Sequence, residues 1–305
     1  MQAKTKKTIS DIKALKIQGA RNVAKAALNS LIYEIENSKE KSSNEFVRKI
    51  SKTIEVLSKA RPTEPMLRNV MGRAQNYIVK NRRKDAALLK NGAVSECRKI
   101  LKYMDESVER IKEYGAKYLP EKATVLVHCH SSTVTGIIKR AVKMGKEIDV
   151  IACETRPRYQ GRITAKELAE EGIKVTLIVD GAMNVFARKA DLALVGADAI
   201  TAAGDLVNKI GTSTLARIIR THDKSFFSAA ETLKYDPMTQ YGTREEIEER
   251  DPKEVWDIRM KNLKIRNPAF DVTAAKYINA YITEKGIIPP QSLISVLEKE
   301  REEKV

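Results

Sequence analysis

Two side chains able to move a proton at carbon stand near the ends of apolar runs: Cys129, in the stretch Val127-His128-Cys129-His130-Ser131-Ser132-Thr133-Val134, and Asp198, in Gly196-Ala197-Asp198-Ala199-Ile200. Cys129 falls where a β-branched run gives way to a helical pattern from Thr135. A helix N-terminus offers unpaired N–H groups and a positive dipole end, which favour a thiolate and can also hold a phosphate. Ser131, Ser132 and Thr133 add hydroxyl donors at the same place. On pattern alone, a buried strand cysteine explains Cys129 as well. Asp198 lies near the end of an otherwise apolar run, where a carboxylate is costly unless paired and where burial raises its pKa towards that of a useful acid. A helix cap or an ion-pair partner is the competing role; Asp205, beside Gly204 and ahead of an expected helical stretch, has the stronger capping context.

Other polar groups gather around these two. Glu154-Thr155-Arg156-Pro157-Arg158-Tyr159-Gln160-Gly161-Arg162 places three arginines within seven residues. Guanidinium forks suit phosphate oxygens, although a solvated basic loop would read the same way. Asn208 and Lys209 follow Asp198 in a stretch dense in glycine and polar groups, and Lys234 follows a further strand-like run. His128 and His130 flank Cys129, yet strict alternation along a strand puts both histidines on one face and the cysteine on the other, so no single metal is expected there. The ordinary role of both histidines is strand-end packing with a satisfied hydrogen bond. Cys97 and Cys153 are expected in the core.

Elements must hold these groups together. From Thr8 to Tyr118 apolar residues recur at helical spacing, as in Cys97, Leu101, Met104, Val108 and Ile111, and a rigid corner at 60–65 interrupts them. After Leu119-Pro120 short β-branched runs alternate with helical segments: 124–130, 148–154, 174–180, 192–200 and 225–229. The fold class is therefore α/β, with a helical N-terminal domain over 1–118 and a Rossmann-like parallel-sheet domain over 119–305. Right-handed crossovers bring the strand C-termini to one edge, where ligands of open α/β sheets bind. The tail after Asp251, with a helical segment following Pro289-Pro290, has the length to pack back on the sheet or to meet another subunit.

Bulk composition narrows the chemistry. Lys and Arg number 56 against 40 Asp and Glu, a formal charge of +16, which suits nucleic acid, an anionic surface or a phosphorylated metabolite. Charge alone does not choose among them. Aromatic residues are 5% of the chain, few for stacking single-stranded bases. No Gly-x-Gly-x-x-Gly follows the first strand and no Walker-type loop occurs, which disfavours dinucleotide and P-loop chemistry. Three widely spaced cysteines fit neither a disulfide framework nor a paired zinc motif, and no apolar run reaches the roughly 18 residues of a membrane span, so a cytoplasmic protein is expected.

Four ordered motifs together carry a resemblance: Arg61-Pro62-Thr63, the cysteine after the first Rossmann-like strand, Arg156-Pro157 through Gln160-Gly161, and 196–200 followed by Gly204-Asp205-Leu206-Val207-Asn208-Lys209-Ile210-Gly211-Thr212. The chain resembles, over nearly its whole length, the superfamily of ribose-1,5-bisphosphate isomerases, methylthioribose-1-phosphate isomerases and the regulatory subunits of the translation initiation factor 2B exchange factor. The resemblance implies a catalytic pair, Cys129 and Asp198, which argues for an enzyme over a non-catalytic regulatory subunit. Methylthioribose-1-phosphate isomerases resemble the aspartate motif but usually carry Asn and Gly soon after the cysteine, where this chain has His130-Ser131-Ser132-Thr133. That departure favours the bisphosphate branch. The same resemblance implies substrate contacts at Gly19, Ala20, Arg21, Asn22, Arg61, Ser131, Ser132, Thr133, Arg156, Arg158, Asn208, Lys209 and Lys234. It further implies an aldose–ketose isomerase of nucleotide metabolism, in AMP degradation, forming a homo-oligomer, with a hexamer built from dimers as one form. No resident cofactor or metal is expected, AMP is admitted as an activator, and nucleic acid is not favoured as a partner.

Overall fold

The computed structural model describes residues 1–61, 63–241 and 247–302, so Pro62 of the Arg61-Pro62-Thr63 motif lies outside the described residues. The chain divides into two compact units, Met1–Glu106 with Leu233–Tyr235, and Ser107–Thr232 with Asp236–Val305.

The first unit is helical: α1 (Ala3–Lys13), α2 (Ala20–Glu36), α3 (Ser43–Ser58), α4 (Pro65–Lys80) and the start of α5 (Ala86–Tyr118). Each helix turns an apolar stripe to a common core that includes Leu31, Phe46, Leu57, Met66, Met71, Cys97 and Met104. Fully burying each such large side chain is worth about 1.5–3 kcal/mol. Pro65 opens α4 at a position where its missing N–H costs nothing. The amide of Asn69 donates to the carbonyls of Leu233 and Tyr235 at 2.7 and 2.8 Å, which ties that late segment into this unit.

The elements that follow are β1 (Lys122–Val127), α6 (Ser132–Lys143), β2 (Glu147–Cys153), α7 (Gln160–Glu170), β3 (Val175–Ile178), α8 (Met183–Ala187), β4 (Leu192–Val195), β5 (Ala199–Thr201), β6 (Leu206–Lys209), α9 (Thr212–Thr221), β7 (Ser225–Ala229), β8 (Tyr235–Asp236), β9 (Phe270–Thr273), β10 (Ala280–Thr283), β11 (Gly286–Ile288) and α10 (Pro290–Glu302). Seven strands form one sheet in the order β11-β10-β7-β4-β1-β2-β3, parallel except for β11. Alternation along β1 sends Val125 and Val127 to one apolar layer, with Ile137, Ile138 and Leu168 from α6 and α7. Leu126 goes to the other, with Leu215 and Ile219 from α9 and Leu293 from α10. A sheet covered on both faces explains the continuous apolar runs of its central strands. Among the described residues, no helix is long and apolar enough to cross a membrane.

The winding fixes where chemistry can occur. From β1 the chain proceeds outward through β2 and β3, then returns to β4 on the other side of β1 and proceeds through β7 to β10. The direction reverses between β1 and β4, and the diverging connections open a crevice at those two C-terminal ends. Cys129 follows β1, and Gly196, Ala197 and Asp198 follow β4.

Two expectations need correction here. The run 192–200 is not one strand: β4 ends at Val195, and by Asp198, whose N–H donates to the carbonyl of Val207 at 3.0 Å, the chain already pairs with β6. A second sheet, β8-β5-β6-β9, results. Asp205 does not precede a helix but the strand β6, and its carboxylate accepts the N–H of Ala275 at 2.8 Å, so it caps a distant 3-10 turn. The tail packs back on the sheet, with β10 parallel to β7.

Candidate active site

Cys129 owes its position to the end of β1. The strand stops at Val127, and Cys129 adopts a left-handed conformation, φ +67°, that a non-glycine residue holds only when its surroundings enforce it. Strand alternation therefore fails beyond Val127, and the two histidines face different surroundings. Buried His128 points its Nε2 to the carbonyl of Ile210 at 2.8 Å. Only Nε2–H can satisfy that carbonyl, so Nδ1 carries the lone pair. Nδ1 of His130 lies 3.0 Å from the hydroxyl of Thr164. Burial lowers the pKa of both rings below the usual histidine value.

After Cys129, α6 begins. Ser131 is its N-cap, accepting the Val134 N–H at its hydroxyl, and Ser132 and Thr133 form the first turn. Opposite Ser131 stands Gly196, where a Cβ would come within 2.9 Å of the serine Oγ. Glycine thus lets the β4 turn pass against the cap and carry Ala197 and Asp198 into the crevice.

The charges around the thiol are mixed. Burial pushes the Cys129 thiol up to about 11, Lys209 and the His130 backbone N–H pull it down, and Asp198 and Asp180 push it up again. Desolvation outweighs the cation and the helix end, so the resting group is a neutral thiol; the expected bias to thiolate is corrected on that ground. Buried Lys209 sits at the end of β6 with its ammonium 5.1 Å from the centre of the Phe270 ring. Buried Asn208 donates to Thr212 Oγ1 at 3.0 Å, and that hydroxyl donates to the carbonyl of Lys209 at 2.6 Å. Asp271 accepts the N–H groups of Gly211 and Ser213 and so fixes the start of α9; burial raises its pKa to about 6.

The arginine loop after β2 is a structured turn. Asp180, just past β3, accepts the N–H of Thr155 at 2.8 Å and that of Arg156 at 2.7 Å, one on each carboxylate oxygen. Exposed Arg156 stacks on Tyr159 with 5.0 Å to the ring centre and donates to the Val255 carbonyl at 3.3 Å. Arg158 pairs with Glu254 at 3.1 Å and Arg162 with Glu154 at 2.9 Å. Glu254 thus engages the Arg158 guanidinium, whereas the charge of Lys209 acts directly on the thiol.

One cluster was not anticipated. Donor atoms of His128, Cys153 and Asp180 lie within 4.8 Å of one another. Both Asp180 oxygens accept backbone N–H groups of the β2 loop, so this cluster also anchors that loop.

The remaining candidates belong to the first unit. Gly19, with φ +83°, precedes Ala20 at the start of α2. Arg21 donates to the Met104 carbonyl at 3.2 Å and pairs with Asp105, and the Asn22 amide donates to the Gln18 carbonyl at 3.1 Å. Buried Arg61 stands 3.5 Å from buried Glu64. Lys234 ends a 3-10 turn, Thr232–Lys234.

The chain is 42% identical over 296 residues to ribose 1,5-bisphosphate isomerase of Methanocaldococcus jannaschii, covering 96% of this chain and 94% of that protein. Among solved structures, translation initiation factor eIF-2B of Pyrococcus horikoshii OT3 superposes with a TM-score of 0.81 at 31% identity, over 96% of this chain and all of that one. The 5-methylthioribose 1-phosphate isomerase of the same organism gives 0.80 at 31%, over 98% and 88%. The profile of the Initiation factor 2 subunit family matches residues 16–290, and the chain belongs to that family.

Proposed function

We propose that this protein is an aldose–ketose isomerase that converts ribose 1,5-bisphosphate to ribulose 1,5-bisphosphate, with Cys129 and Asp198 as its acid/base pair. The observation that carries the reading is the convergence of a thiol, a carboxylate and a buried ammonium at the switch point between β1 and β4. The anomeric phosphate blocks simple opening to an aldehyde, so an acid must assist the ring oxygen. Asp198 donates a proton there while Cys129 takes the proton from carbon two. Cys129 then returns its proton to carbon one and Asp198 takes the proton of the carbon-two hydroxyl, leaving the ketose and restoring both groups. Lys209 balances charge at the reacting end and holds a phosphate; Asn208 and the start of α6 with Ser131, Ser132 and Thr133 supply further donors. Arg156 and Arg158, and from the first unit Gly19, Ala20, Arg21, Asn22, Arg61 and Lys234, complete the substrate contacts in this reading.

The reading also holds that the protein works in the cytoplasm, in AMP degradation, as a homo-oligomer, with no resident cofactor and with AMP as an activator. Assay of the purified protein with ribose 1,5-bisphosphate, beside methylthioribose 1-phosphate, tests it. Turnover of the bisphosphate that Cys129→Ser abolishes is the expected result. Turnover of the methylthio substrate alone, or of neither, refutes it; the second outcome would favour a non-catalytic regulatory subunit.

A further inference from the structure

The peptide groups on the two sides of Cys129 are both held by threonine side chains. The Cys129 N–H donates to Thr155 Oγ1 at 2.8 Å, and the Thr164 hydroxyl donates to the Cys129 carbonyl at 2.9 Å. Both threonines are buried. Thr155 Oγ1 can only accept from the Cys129 N–H, its own proton facing the Cys153 carbonyl at 3.1 Å and the Nδ1 lone pair of His128 at 3.4 Å, and the Thr164 oxygen, having donated to Cys129, accepts from Nδ1–H of His130 at 3.0 Å. Thr155 is itself left-handed, φ +62°, and is held there by the Asp180 carboxylate. Thr164 rides on α7, whose first turn packs so closely on β2 that a Cβ at Gly161 would lie 1.6 Å from the Cys153 carbonyl oxygen. Two hydroxyls from separate elements thus hold one cysteine in a conformation that it would otherwise leave.

From this geometry we infer that Thr155 and Thr164 are positioning residues, a hydroxyl clamp that fixes Cys129 in its left-handed conformation and aims its sulfur at the substrate carbon. The inference rests on the isomerase reading only for what the sulfur does; the clamp itself is a property of the free protein. Asp180 supports it by anchoring Thr155. A thiol that must meet a C–H bond is sensitive to small displacements, because misplacing a reacting group by about 1 Å can cost on the order of 100-fold in rate.

The test compares Thr155→Val and Thr164→Val, which remove the hydroxyl at nearly constant volume, with Thr155→Ser and Thr164→Ser, which keep it. For the valine variants kcat should fall on the order of 10- to 100-fold with KM within about threefold of wild type, and serine should recover most of that loss. Turnover is normalised to folded protein, with melting temperature measured on the same samples. If valine and serine variants share one kcat per folded molecule, the clamp has no positioning role. An independent measurement follows alkylation of Cys129 by iodoacetamide against pH, without substrate, using the mass of the Cys129 peptide. Release of the clamp should expose the sulfur and raise its alkylation rate at pH 8 by roughly fivefold or more in the valine variants only. Coincident curves for all four variants and wild type would overturn the proposal even if the isomerase reading stands. Conversely, a wild type inactive on ribose 1,5-bisphosphate defeats that reading and leaves the clamp to be judged on alkylation. Should Thr155→Val fail to fold, Thr155→Ala and Thr164→Val carry the same comparison.

Discussion

Asp198→Asn should have two effects of opposite sign on the same cysteine. With a thiol at about 11, only about one molecule in 1,000 carries the thiolate at pH 8, and Asp198 is one of the charges that keep the fraction low. Asparagine keeps the volume and much of the hydrogen bonding but removes the charge, so the thiol pKa must fall and alkylation of Cys129 must speed up. Asp198 ranks behind burial, Lys209 and the His130 N–H among the influences on this thiol, so a gain of roughly 3- to 10-fold at pH 8 is expected. Isomerase turnover should drop by several orders of magnitude, because the carboxylate that must carry the transferable proton has gone. Lys209→Met is the reciprocal perturbation: it removes the charge that lowers the pKa, so alkylation should slow by a similar factor. Cys97 and Cys153 are buried with thiols pushed up to about 12, and they contribute little background. Alkylation rates read from peptide masses at pH 7, 8 and 9 give the sign directly. If Asp198→Asn slows alkylation or leaves it unchanged, the carboxylate does not act on the thiol; if the variant is destabilised yet keeps near-normal kcat, Asp198 is structural.

The raised thiols also predict the alkaline limit of stability. Cys97, Cys129 and Cys153 bind their protons more tightly folded than unfolded, so their contribution is fully present below about 9, the unfolded value, and is lost as pH rises towards 11 and 12. Denaturant titrations at pH 8, 10 and 11 should show Cys153→Ala less sensitive to pH than wild type by up to about 1.4 kcal/mol per pH unit, and parallel curves would contradict the assignment. Asp271 follows the same sign in the acid range: with its pKa raised to about 6, stability relative to Asp271→Asn should decline as pH rises from about 4 to about 6, and an increase over that range would exclude burial as the dominant influence. Dialysis against a chelator should leave turnover unchanged, because both Asp180 oxygens serve backbone N–H groups; loss of activity restored by zinc or magnesium would give the His128, Cys153 and Asp180 cluster a different role.

The periodic parts of this fold were legible in the sequence. The stripe through Cys97, Met104, Val108 and Ile111 is buried as its spacing requires, and Ser225–Ala229 is a strand with those bounds. The second sheet was not legible, because Leu206–Lys209 is four residues long, ends in Asn and Lys, and lies between Gly204 and Gly211. Such a segment becomes a strand only through its partners, β5 just before it and β9 from a distant part of the chain. At the candidate site, Cys129 and Asp198 were singled out by residue type and position, and Lys209 by the family resemblance. Thr155, Thr164 and Asp180 were not, since threonine and aspartate in loops have many ordinary uses and their roles depend on where Cys129's own N–H and C=O point. The left-handed turn at Cys129 broke the alternation argument for the same reason: periodicity predicts a side chain's direction only while the strand lasts.

A protonated resting thiol alters how the proposed pair must operate. In the proposed mechanism Cys129 and Asp198 share one transferable proton; burial favours it on sulfur at rest, and Asp198 acts against ionisation of the thiol. The reactive arrangement, thiolate and carboxylic acid, contains the same atoms and the same net charge. Reaching it is a transfer within the pair and takes no proton from solvent, so turnover need not follow the small free thiolate fraction and should vary little with pH around neutrality. Bulk titration of the free thiol and the pH dependence of kcat then report different equilibria, as expected for coupled groups. A kcat that instead rose tenfold per pH unit from 7 to 9 would mean that solvent, and not Asp198, removes the thiol proton.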